Sequence, residues 1–185
     1  MDIRRVFPAL VLALVAGGCS SGELSLTEYA DEVEDLVAEM EAGFVELDTD
    51  WLSEPPSVDR AQEYWDGRLQ IRFDFLESVE SLRPPDEVVA MHEDSVAVFT
   101  KITDADLVLR ARVDQYEAID DHWQWVDTPE GRAADAVLAE VYEFCRESQE
   151  EFDATKERGQ LEDTPWIPSE MKEVVSVAFG CPPSD

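Results

Sequence analysis

Between Ser25 and Ala178, apolar residues recur at intervals of three and four, in blocks separated by proline-bearing breaks. That spacing gathers each block's apolar side chains on one helical face, whereas a strand would alternate them residue by residue. Ser25 and Glu28 have the spacing of a capping box, followed by a stripe of Tyr29, Ala30, Val33, Leu36, Val37, Met40, Phe44 and Leu47. Glu32, Glu34, Asp35, Glu39 and Glu41 take the remaining faces, so this first helix has a wet side and a dry side. It is expected to run to about Leu47, with Asp48 to Pro56 as a loop that holds Trp51 and Leu52.

Ser57 caps a second helix with the stripe Ala61, Tyr64, Trp65, Leu69, Phe73, Leu76 and Val79. Leu82-Arg83-Pro84-Pro85 ends it, because a residue before proline avoids helical angles. Pro85 then opens a third helix. Its inner face is traced by Val88, Val89, His92, Val96, Phe99, Ile102, Leu109, Val113, Tyr116 and Ile119. After a loop carrying Trp123 and Trp125, Thr128-Pro129-Glu130 starts a fourth helix through Ala134, Val137, Leu138, Val141, Phe144, Cys145 and Phe152. A break containing Trp166 precedes a short fifth helix from Ser169 through Met171, Val174, Val175 and Ala178. Short connections between long amphipathic helices predict an all-α, up-down-up-down four-helix bundle with a short fifth C-terminal helix.

The start of the chain reads differently. Arg4 and Arg5 precede an apolar run from Val6 to Ala16, interrupted by Pro8, and Gly17, Gly18 and Cys19 follow. Such a run is too short to span a bilayer, which takes roughly 20 residues, and it has the layout of an export signal. Ala16-Gly17-Gly18-Cys19 resembles the lipobox of bacterial lipoproteins, although Ala16 stands where Leu or Val is more usual. The resemblance implies a diacylglyceryl thioether on Cys19 and cleavage just before it. The chain then divides into a signal peptide (1–18), a lipid anchor and tether (19–24) and a helical domain (25–185). The expected location is the cell membrane, lipid-anchored and facing the extracytoplasmic side. Leu82-Arg83-Pro84-Pro85, followed by a helix with His92, resembles uncharacterised helical lipoproteins of high-GC Gram-positive bacteria, a likeness that brings no activity with it.

Residues 1–18 hold one acidic and two basic side chains, so 43 of the 44 acidic and 12 of the 14 basic residues belong to the remainder. With 44% apolar residues the chain has material for a sizeable core, so the acidity belongs on its surface. A field of that sign repels nucleic acid and favours cations and basic partners. The acidic residues are spread over every segment, and no Asp-x-Asp-x-Asp-Gly loop of the calcium type occurs. Once Cys19 is lipidated, Cys145 and Cys181 remain, and outside the cytoplasm such a pair is expected to form a disulfide. In the chain-entropy model that bridge is worth about 4 kcal/mol.

Motifs for catalysis are missing from the sequence. There is no Gly-x-Ser-x-Gly elbow and no Gly-rich phosphate loop. The Glu-x-x-His pairs of di-iron bundles are also lacking, since Val89 and Ile119 stand three residues before His92 and His122. No catalytic residue, metal ligand or cofactor is assigned. The candidate binding residues are Trp51, Trp123 and Trp125, expected at the end of the bundle far from the lipid, and His92 on an inner stripe. Tryptophans there either cap the core or form an aromatic ledge in an acidic field, suited to a basic protein, a peptide or a cationic ligand. The functional expectation is therefore a non-enzymatic, membrane-anchored domain that binds a partner or ligand. The alternatives are a divalent-cation-binding lipoprotein and a hydrolase.

Overall fold

The computed structural model describes residues 24–153. The signal segment, Cys19, Cys181 and the expected fifth helix lie outside the described residues, as does the side chain of Cys145. The described part is all-helical, with α1 (Leu26–Ser53), α2 (Val58–Ser81), a 3-10 turn (Asp86–Val88), α3 (Val89–Val113) and α4 (Pro129–Asp153). Helix α1 packs on α2, α2 on α3 and α3 on α4.

The starts of α1, α2 and α4 are fixed by side chains that satisfy otherwise orphaned amides. Ser25 and Glu28 form the capping box: the Glu28 N–H donates to Ser25 Oγ at 3.3 Å and the Ser25 N–H to the Glu28 carboxylate at 2.9 Å. Ser57 Oγ accepts from the Arg60 N–H, and Thr128 Oγ1 from the Gly131 N–H at 3.0 Å. A Cβ at Gly131 would lie 2.3 Å from the Trp125 carbonyl oxygen and 2.5 Å from that of Val126. Only glycine allows the loop backbone to approach the first turn of α4 so closely.

Two helix ends and one buried face differ from the sequence reading. Helix α1 does not stop near Leu47: Trp51 continues the stripe one turn on, and no helix breaker intervenes before Pro55. Helix α3 ends at Val113 instead of continuing to Ile119, because the chain turns there to lay Tyr116, Ile119 and Trp125 over the core. On α2 the buried row is Ala61, Tyr64, Trp65, Leu69, Arg72, Phe75 and Val79, while Phe73 is 46% exposed. A 3.6-residue period counted from Ala61 falls at 72, 75 and 79, so the helix kept its phase and buried an arginine.

Three apolar clusters stand out among the described residues. One, at the loop end, joins Trp51, Ala61, Tyr64, Trp65, Leu109, Val113, Ile119 and Trp125. A second places Met40 against Phe75 and Val79, with Phe99 of α3 against it. The third seats Val141 of α4 on Ile102 of α3.

Candidate functional site

At the loop end the rings of Trp51, Tyr64, Trp65 and Trp125 pack with centroids 5.3 to 6.0 Å apart. Trp51 is 1% exposed. Arg60 closes α1 by donating from Nη2 to the Asp50 carbonyl at 2.6 Å, and Tyr64 donates its hydroxyl proton to Asp48 at 2.9 Å. Burial, chiefly, pushes the Tyr64 phenol up to about 12. His122 lies edge-on to Trp51 at 4.9 Å, and its Nε2 sits 2.9 Å from the Glu54 carbonyl. A carbonyl only accepts, so Nε2 carries the proton. This bond ties the α1–α2 loop to the α3–α4 loop. The indole N–H groups of Trp51 and Trp65 are buried without a hydrogen-bond partner among the described residues.

Trp123 differs from its neighbours. It is 44% exposed, its backbone N–H donates to the Asp121 carboxylate at 2.7 Å, and its ring stands edge-on to buried Trp125 at 6.1 Å. Glu54, Asp120, Asp121 and Asp127 of the same two loops are exposed. The result is a braced aromatic surface with an acidic rim.

Away from that end the interior is charged. Arg68 and Arg72, one turn apart on α2, both point Nε at Asp106 Oδ2 on α3, at 3.0 and 3.5 Å. Both guanidinium groups also lie over the ring of Phe44, at 4.9 and 4.7 Å. Arg72 Nη1 is 3.5 Å from Met40 Sδ. Burial, with Arg68 beside it, pushes Arg72 down to about 10. Two cations on one carboxylate leave an excess positive charge inside, and a chain of net charge −30 supplies a field that favours it. Near the starts of α1 and α3, Tyr29 Oη lies 2.8 Å from His92 Nδ1, both side chains buried. Burial holds the Tyr29 phenol above its ordinary range and the His92 imidazole below its own.

The four candidate binding residues therefore separate. Trp51 and Trp125 are core, Trp123 is surface, and His92 belongs to the opposite end, since its partner Tyr29 stands 22 residues before Trp51 on α1, about 33 Å along the helix. His122 is half-buried as a tie between loops. The sequence reading did not include Arg68, Arg72 or the Tyr29 partnership. The signal for the first two was present, because Asp106 interrupts the inner stripe of α3 between Ile102 and Leu109.

A cleft of about 200 Å³ between α1 and α2 falls below the roughly 300–1,000 Å³ of sites that enclose a ligand, and one of about 290 Å³ between α3 and α4 lies at the lower edge of that range. Among the described residues, no three His, Cys, Asp or Glu side chains are grouped to hold a metal ion, and no helix is long and apolar enough to cross a membrane. Comparison with known protein families, curated proteins and solved structures finds no match.

Proposed function

We propose that this chain is a membrane-anchored, extracytoplasmic lipoprotein whose helical domain is a non-enzymatic binding module. Lipid on Cys19 holds it to the membrane, and the loop end takes a basic segment of a partner protein. In this reading the domain is an up-down-up-down four-helix bundle with a short fifth helix, which sets the loop end farthest from the anchor. Two hydrogen bonds support that direction. The Leu24 N–H donates to the Arg83 carbonyl at 3.2 Å, joining the start of α1 to the α2–α3 turn, and His122 joins the other two loops to each other.

The observation that carries the binding proposal is Trp123, a large aromatic surface fixed from behind by Trp125 and Asp121 and rimmed by carboxylates. A pre-positioned tryptophan loses little freedom on binding, which is why such residues serve as anchors in interfaces. Capture from native membranes by the parent protein and by Trp123→Ala tests it. A partner retained by the parent and lost by a variant of unchanged melting temperature supports the proposal. Equal capture by both sinks it.

A further inference from the structure

Helix α4 has a second apolar stripe besides the one that faces α3. Val141 is buried against Ile102, yet Leu138 is 39% exposed and Tyr142 58% exposed. Four residues apart, these two share a face, and position 145, three further on, continues it. An amphipathic helix that leaves two large apolar side chains in water on one face has a surface awaiting a cover. Along that face the positions 135, 138, 142 and 145 are spaced three, four and three. Met171, Val174, Ala178 and Cys181 have the same spacing.

We infer that the Leu138–Tyr142 face of α4 is the seat of the chain's own residues 171–181, laid parallel to α4 and fastened by a disulfide between Cys145 and Cys181. With the two cysteines opposite each other, Ala178 falls against Tyr142 and Val174 against Leu138, small against large. The connection is long enough. Returning from Asp153 to the level of Asp135 takes 18 helical residues, about 27 Å, and the 17 residues 154–170 reach as far as about 56 Å when extended. Closure is a two-electron oxidation by thiol–disulfide exchange: the two thiols give up two protons and two electrons, and a donor disulfide is reduced to two thiols. In the cell this rests on the extracytoplasmic placement proposed above, where donor disulfides are at hand.

The test uses the full chain, oxidised in a glutathione and glutathione-disulfide buffer, digested without reduction and mapped by mass spectrometry. Amide exchange is followed before and after reduction, and in Cys181→Ser. The expected results are a peptide linked through 145 and 181, and exchange over residues 136–143 that quickens roughly tenfold or more once the bond is lost. No such linkage overturns the inference. So does a linkage that leaves exchange over 136–143 unchanged or protects 146–153 in its place, the pattern of an antiparallel seat. Because the buffer supplies the oxidant, the outcome is independent of cellular location. Lipid on Cys19, read by intact mass from native membranes, tests location separately.

Discussion

At the loop end, four aromatic rings fill the space between three helices and a returning loop, and two of the indoles have no hydrogen-bond partner for their N–H groups among the described residues. Toward the other end, the same helices meet through Arg68, Arg72 and Asp106, and then through Tyr29 and His92. The first arrangement holds by apolar area, which is non-directional and indifferent to pH. The second holds by aimed bonds between groups that are costly to bury singly, and so it fixes how α1, α2 and α3 register on one another. Apolar packing thus runs through both halves, since Met40, Phe75 and Val79 cluster in the second as well, and the aimed bonds add alignment there.

The largest effect should come from the aromatic half. Trp51→Ala removes a fully buried indole and should lower unfolding free energy by about 3–5 kcal/mol, measured by urea denaturation; a loss under about 1 kcal/mol would show that the cluster refills. Asp106→Ala leaves two guanidinium groups inside without a counter-charge and should cost about 3 kcal/mol or more. If these charged groups supply alignment and not cohesion, Arg68→Met and Arg72→Met together with Asp106→Leu recover most of that loss, and a triple variant as unstable as the single one breaks the contrast. Tyr29→Phe removes one buried hydrogen bond and should cost about 1 kcal/mol.

The pH response should divide in the same way. Burial depresses the His92 pKa in the folded chain, so below its ordinary value near 6.5 the unfolded chain binds the proton more readily. The contribution of His92 is therefore complete above that pH and fades as the pH falls through the folded value. Melting curves between pH 7.5 and 5 should show the parent losing more stability than His92→Gln, and parallel curves would remove His92 from the account. Smallest of all, Trp123→Ala should change stability by less than about 0.5 kcal/mol. A larger loss would return Trp123 to the core.

The helices were legible because apolar spacing records helical phase directly. The stripe of α1, the capping box at Ser25 and the helix start at Thr128 appear at the residues where the sequence places them. The polar half was not legible for the complementary reason: a stripe drawn from apolar residues steps around charged ones. On α2 that preference led to Phe73 and Leu76, while unbroken phase leads to Arg72 and Phe75. With 44 acidic residues in the chain, nothing singles out Asp106 except its place on the inner row of α3. The tryptophans were found by sequence but not sorted. Whether an indole turns inward depends on the course of the α3–α4 loop, and Asp121, which holds Trp123 outward, reads as one more surface acid.

The contact at Gly131 has a mechanical side. The carbonyl groups of Trp125 and Val126 rest on the first turn of α4 with no room for even a methyl group between them. That turn therefore cannot slide inward without pushing on the backbone whose side chain plugs the aromatic cluster. Any side chain at position 131 would therefore drive the first turn of α4 away from the loop that carries both the buried Trp125 and the exposed Trp123.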